Sequence, residues 1–310
     1  MKIAIIIPYF GKLPNYFPLF LKSAEFNRNI DFIFYTDQKI NSESPNIIVK
    51  NIAFLDLKQR IESLFDFEIS LEGPYKLCDY RPAFGEIFSS DLLNYDFWGH
   101  CDVDMILGDI MKYVNDEILR EYDKVFEYGH LCLYKNDSKI NSLYKDRKIV
   151  DYQTVFQNKG SWCFDEKYGI QKIFDYYEMK TYKKNEMLDM SPKHFRLQRV
   201  QRPGILNHKF QIFTYENGNV YMMYLDDFNL KIIKEEFMYI HLQKRNMMIK
   251  TDNKEYYIIT PDSFVDKDFL EVNKDVFLKN NRNSILKEMQ FLFKNQKYQL
   301  NRRIHKYLNF

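Results

Sequence analysis

The chain lacks the long apolar runs of a membrane protein: no stretch approaches the ~20 consecutive apolar residues that a spanning helix needs. Its first apolar run, Met1 to Pro8, is too short for a signal peptide and has no small-residue cleavage site behind it. A cytoplasmic location is therefore expected. Cysteine pairing is also missing. Cys78, Cys101, Cys132 and Cys163 stand far apart with no Cys-x-x-Cys among them, which argues against a zinc knuckle or a dithiol redox pair and for buried free thiols. Neither sign of charge dominates: 45 basic against 43 acidic side chains leave a net +2, so nucleic acid is not an expected partner. Glycine and proline are scarce, at 10 and 9, and no repeat or low-complexity linker divides the chain. What is abundant is core material. With 27 Phe, 24 Tyr and 45% hydrophobic residues, 310 residues can fill one large domain or a domain with an appendage.

Read in order, the chain alternates strand and helix. Lys2 to Ile7 is a β-branched run of the kind that fills a central parallel strand, and Pro8 to Gly11 ends it with turn residues. Pro14 to Phe26 has helical spacing, Ile30 to Asp37 a second buried strand, Asn46 to Phe54 a third, and Leu57 to Phe67 another helix. The alternation predicts an α/β fold with a mostly parallel, doubly wound sheet flanked by helices. In such sheets ligands sit beyond the carboxyl ends of the strands, which puts Pro8 to Gly11 and Thr36-Asp37 on the ligand side. Gly73 to Gly85 reads as a loop entering a helix with Pro82 in its first turn. Its Lys76 and Arg81 can hold phosphate while Asp79 orients Arg81 or a sugar hydroxyl; a local Asp-Arg ion pair is the plainer alternative.

A helix from Glu86 to Leu93 leads into Tyr95 to Ile110, where acids press against an apolar run. Asp102 and Asp104 are two apart, so on an extended backbone they face the same way. Two carboxylates side by side repel unless a cation lies between them, and Mg²⁺ or Mn²⁺ takes such oxygen ligands. A solvated turn or helix caps would produce the same letters, but Phe97-Trp98 before the pair and Met105 to Leu107 after it argue for a strand end. Asp109 reads as the cap of a helix from Ile110 to Tyr122. Asp123 to Tyr134 reads as one strand with His130 in the core, and Ser138 to Phe156 as a helix. Gly160 to Gly169 reads as an aromatic strand that delivers Asp165 and Glu166 just before a helix over Ile170 to Met179, one acid suited to a base and the other to a cap. Phe210 to Tyr224 is a hairpin turning at Asn217-Gly218, an antiparallel addition late in the sheet. Glu236 to Arg245 alternates as a strand and finishes in His241, Lys244 and Arg245; His241 can add a nitrogen ligand to the aspartates' ion, and Lys244 can neutralise a diphosphate. From Asp275 the chain is basic and amphipathic, with Lys294, Lys297, Arg302, Arg303 and Lys306 among apolar residues, and either docks on an anionic membrane surface or packs on the parent domain.

With these parts in this order, residues 1 to 250 resemble a GT-A-fold glycosyltransferase. They are similar to bacterial enzymes of capsule, O-antigen or lipooligosaccharide synthesis and to the galactosyltransferase/glycogenin group, in which an Asp-x-Asp and a later His hold Mn²⁺ on a nucleotide-sugar diphosphate. The resemblance implies a catalytic domain over 1–250 and a helical extension over 251–310. It implies Mn²⁺ or Mg²⁺ as cofactor, a nucleotide-sugar donor, UDP-linked by expectation, and a glycan or lipid-linked oligosaccharide acceptor. Pro8, Tyr9 and Phe10 would line the base pocket, with Tyr9 or Phe10 stacking, and Asp37 would meet a uracil N–H or a ribose hydroxyl. Lys76 and Arg81 would face the diphosphate or donor sugar, Asp102 the ribose or metal, and Asp104 and His241 the metal. Asp165 or Glu166 would be the base of an inverting reaction. The group's His-x-x-Gly-x-x-Lys-Pro-Trp is absent, since Leu-Gln-Lys-Arg follows His241, so Lys244 takes the phosphate role and the stereochemistry stays open. Two other classes fit the acids: a nucleotidyltransferase, for which Pro8 to Gly11 is a poor phosphate loop, and a non-catalytic nucleotide- or sugar-binding protein of the same fold.

Overall fold

Ile3–Pro8 is the strand on which the large sheet is ordered, and its burial on both faces explains its unbroken aliphatic sequence. A computed structural model describes residues 1–226, 231–243, 245–266, 275 and 286–293. The chain divides into two compact units. The first comprises Met1–Pro14, Ala24–Val103 and Ile110–Asn185; the second Asn15–Ser23, Asp104–Asp109 and the chain from Glu186 onward. Among the described residues, no helix is long and apolar enough to cross a membrane.

In the first unit a seven-stranded sheet runs in the order Ile47–Asn51, Ile30–Thr36, Ile3–Pro8, Phe97–Cys101, Leu131–Lys135, Lys124–Val125, Thr181–Tyr182. The first four strands are parallel, so the fold is α/β with a mostly parallel sheet, as the alternation predicts. Asn46 ties the start of this sheet together: its side-chain amide donates to the carbonyls of Ala24, Asn27 and Ile30, which closes the turn between helix Phe17–Phe26 and the next strand. The expected single strand over Asp123 to Tyr134 is instead two antiparallel strands, because Phe126 takes a left-handed conformation, φ 68°, and turns the chain back. The long helices expected over Ile110 to Tyr122 and Ser138 to Phe156 are broken into short pieces. In the former, Asn115 stops one piece and caps the next by accepting from the Glu117 and Ile118 N–H groups. Gly160 to Gly169 is a series of turns and not a strand, and the helix that follows, Ile170–Tyr176, has Gly169 as its N-cap residue, so Asp165 caps nothing.

The second unit contains two sheets. Met105–Leu107, Tyr239–His241 and Leu188–Asp189 make a three-stranded sheet. The six-stranded sheet runs Ile232–Phe237, Asn219–Leu225, Gln211–Glu216, Tyr256–Ile259, Ser263–Asp266, Met248–Lys250. The expected hairpin is present. Asn217 and Gly218 both have positive φ, 46° and 89°, as a two-residue turn with the strands' own twist requires. It belongs to this separate sheet and is not an addition to the parallel one. Two strands also occupy 256–266, where a helical extension is expected from 251 on. Residues 286–293 are helical. Glu288 accepts the N–H groups of Phe195 and Arg196, and Phe291 lies 5.2 Å beneath the Arg245 guanidinium. The basic residues from Lys294 to Lys306 lie outside the described residues.

Candidate functional site

From Ile3–Pro8 the sheet grows outward through Ile30–Thr36 and Ile47–Asn51. The chain then returns to the other side of the first strand as Phe97–Cys101. The strand order therefore reverses between Ile3–Pro8 and Phe97–Cys101, and the crevice at the carboxyl end of such a reversal is where open α/β sheets bind ligands. The register pairs Ile6 with His100, so continuing it two residues sets Pro8 level with Asp102. Here Tyr9 N–H donates to the Tyr35 carbonyl, Gly11 N–H reaches Asp37 Oδ1 at 3.4 Å, and Gln38 holds the same oxygen at 2.8 Å. Phe10 points the other way, buried edge-on against Phe54 at 5.4 Å, so of the two expected stacking rings only the half-buried Tyr9 remains.

Asp102 is held from beneath. Arg81 donates through Nη2 to Asp102 Oδ1, and through Nη1 to Asp165 Oδ2 at 2.8 Å and the Gly129 carbonyl at 2.7 Å. The Asp102 N–H in turn donates to the carbonyl of buried His130. Asp165 is 3% exposed. Burial pushes its carboxyl up to about 7, Arg81 pulls against that shift and nearby Glu166 adds to it. His100, on the strand leading to Asp102, is driven well below the usual histidine range by burial and then by Arg81, so its ring is neutral. Gly129 makes the arrangement possible, since a β-carbon there would lie 2.5 Å from Asp165 Oδ2. Glu166, next along the chain, is exposed.

Lys76 and Asp79 take different roles from those expected. The Lys76 ammonium gives its three donors to Asp79 Oδ2 and to the carbonyls of Val155 and Gly160, at 2.7–2.9 Å, which leaves none for a phosphate. Asp79, fully buried, accepts the N–H groups of Trp162 and Phe164. Together they clasp the segment that carries Asp165 and Glu166, and Asp79 does not orient Arg81.

In the second unit, Asp104 and His241 come together: His241 Nε2 is 3.4 Å from Asp104 Oδ1. Their strands are antiparallel neighbours, with His241 opposite Met105 and the Leu242 N–H bonded to the Asp104 carbonyl. The far ring nitrogen, Nδ1, lies 2.9 Å from Asp189 Oδ1, which also accepts from Gln243, while Asp189 Oδ2 accepts from Arg202 at 2.6 Å. A nitrogen and an oxygen at this separation fit one small divalent ion bonded at roughly 2.1 Å to each. Lys244 lies outside the described residues. Arg245 is spent on the carbonyls of Ser191, His194 and Phe195. Sequence reasoning missed Asp189, Arg202, Gln243 and Gly129. Only Asp189 carried a signal, an acid inside the short apolar run Met187 to Met190.

Compared with known proteins, the chain matches one family model over residues 5–268. The chain belongs to DUF6625, a family of unknown function. No curated protein matches this DUF6625 member in sequence. Solved structures similar to it include a glycosyltransferase involved in glycosylation of the major capsid of PBCV-1, at 8% identity over 61% of this chain and 84% of that one, TM-score 0.36. Another is the galactosyltransferase LgtC in complex with donor and acceptor sugar analogues, at 12% identity over 61% and 75%, TM-score 0.36. The apo glycosyltransferase GlyE of Streptococcus pneumoniae TIGR4 shares 12% identity over 62% and 47%, TM-score 0.32.

Proposed function

We propose that this protein is a metal-dependent glycosyltransferase, GT-A-like in its catalytic region, that moves a sugar from a nucleotide-diphosphate donor, UDP-linked by preference, to a hydroxyl of a glycan or lipid-linked glycan in bacterial surface polysaccharide synthesis. The observation that carries the reading is the Asp104–His241 pair at 3.4 Å, two residues along the chain from an aspartate at the strand-order reversal. Asp104 and His241 would hold Mn²⁺ or Mg²⁺, which supplies Lewis-acid stabilisation of the charge that grows on the departing diphosphate. Tyr9, Pro8 and Asp37 would receive the base and ribose, and Asp102, fixed by Arg81, the ribose or the ion. Lys244 remains the proposed diphosphate contact. Of the two acids after the clasp, exposed Glu166 is the one proposed to take the acceptor's proton if the reaction inverts, with Asp165 anchoring Arg81. The basic C-terminal tail is proposed to touch the inner face of the cell membrane.

Melting temperature measured with UDP or GDP, with and without Mn²⁺, tests the reading. A ligand at 100 times its dissociation constant stabilises by about 2.7 kcal/mol. The rise is expected only with nucleotide and metal together, and is expected to vanish in Asp104→Ala and His241→Ala. An equal rise in those variants would overturn the metal assignment. A panel of sugar nucleotides, read as released diphosphate, then identifies the donor.

A further inference from the structure

We propose that Asp189 is the residue that positions His241 for metal binding, by fixing which ring nitrogen carries the proton; the inference rests on the reading of Asp104 and His241 as metal ligands. Strands Leu188–Asp189 and Tyr239–His241 are parallel neighbours with Asp189 directly opposite His241, so the two side chains share a face of the small sheet. Both are buried. Three donors lie on Asp189's carboxylate: Gln243 Nε2 at 2.8 Å and His241 Nδ1 at 2.9 Å on one oxygen, Arg202 Nη2 at 2.6 Å on the other. An ionised carboxylate only accepts, so the imidazole must place its proton on Nδ1. In the neutral ring the lone pair then falls on Nε2, the nitrogen that faces Asp104 Oδ1. A carboxylate behind a histidine is the usual device for orienting such a ligand and raising its basicity. Arg202 is the second part of the device. It donates to the other oxygen and fixes the carboxylate's rotation, and the backbone reinforces this where the Val200 N–H bonds to the Asp189 carbonyl at 2.7 Å.

Asp189→Asn is the sharpest variant, because an amide has one acceptor oxygen and one donor group. Arg202 claims the oxygen, so the amide N–H₂ turns to His241 Nδ1 and drives the proton to Nε2, where it occupies the metal's place. Two measurements on the full-length chain test this. Nitrogen-detected histidine NMR of the metal-free protein, with His241→Ala for assignment among the six histidines, is expected to show His241 protonated at Nδ1 in the wild type and at Nε2 in Asp189→Asn. Mn²⁺ titration, followed by loss of the free-ion paramagnetic resonance signal, is expected to show affinity falling roughly 10- to 100-fold in Asp189→Asn and Asp189→Ala. An unchanged tautomer in both variants would overturn the positioning role, whatever the metal result. If the wild type binds no Mn²⁺ but the tautomer switches, the metal reading fails while Asp189's control of His241 stands. Should Asp189→Ala fail to fold, Asp189→Asn, which keeps the volume, decides alone.

Discussion

Replacing Asp165 by asparagine isolates the carboxyl that the Arg81 network buries. Asparagine is close in shape to the protonated acid and cannot ionise. In the folded chain the acid titrates at about 7, against an ordinary 3.8, because burial disfavours its charge more than Arg81 favours it. The sign follows from proton binding. Between the two values the unfolded chain has released the proton and the folded chain still holds it, so stability falls as pH rises from about 4 to about 7 and then levels off. A shift of this size corresponds to about 4 kcal/mol in all, and about 2 kcal/mol of it falls between pH 5.5 and pH 8.5. Both tryptophans, Trp98 and Trp162, lie in the first unit with Asp165, so their fluorescence follows the unit concerned. Urea denaturation of wild type and Asp165→Asn across that range should give a wild-type curve that drops about 2 kcal/mol further than the variant's. Parallel curves would show that Asp165 is ionised throughout and that Arg81 outweighs burial, which reverses the account of this network.

Lys76→Met should remove about 3–5 kcal/mol of stability, because it leaves the buried Asp79 carboxylate without its cation; denaturation midpoints check this. Gly129→Ala forces Asp165 off Arg81 and should destabilise by about 1–3 kcal/mol while steepening the same pH dependence, because Arg81 then offsets less of the burial; denaturation of the variant across pH will show the combination. Deleting the residues after Asn280 should abolish sedimentation with anionic vesicles and leave neutral vesicles unaffected, because no acidic residue follows Glu288 to oppose the tail's lysines and arginines. Unchanged partitioning would place the tail's basic face in water.

The parts of the fold that could be read from the chain are those set by local chemistry. The aliphatic run after Lys2 has no amphipathic alternative and became the central parallel strand, and Asn217-Gly218 can supply the paired positive φ angles of a tight hairpin. The turn at Phe126 was not legible, since nothing in a large aromatic residue announces a left-handed conformation; tertiary packing imposed it. The charged group Lys76, Asp79 and Arg81 was recognisable as one cluster, but spacing along a helix cannot tell an inward ammonium from an outward one, and Lys76 and Asp79 turned inward to the loop at 155–164. Asp104 and His241 were visible as ligand types, whereas Asp189 depends on a strand pairing across 52 residues that no local pattern records.

The small sheet that unites Met105, Asp189 and His241 also sets what must happen before its side chains can meet. None of its strands exceeds three residues, so none can persist alone, and each must wait for segments far away in the chain to close large loops. The Asp104–His241 pair therefore comes into being only when strands far apart in the chain have paired. Partly folded chains emerging from synthesis would present Asp104 and His241 separately, so any chemistry that needs both waits for their strands to pair.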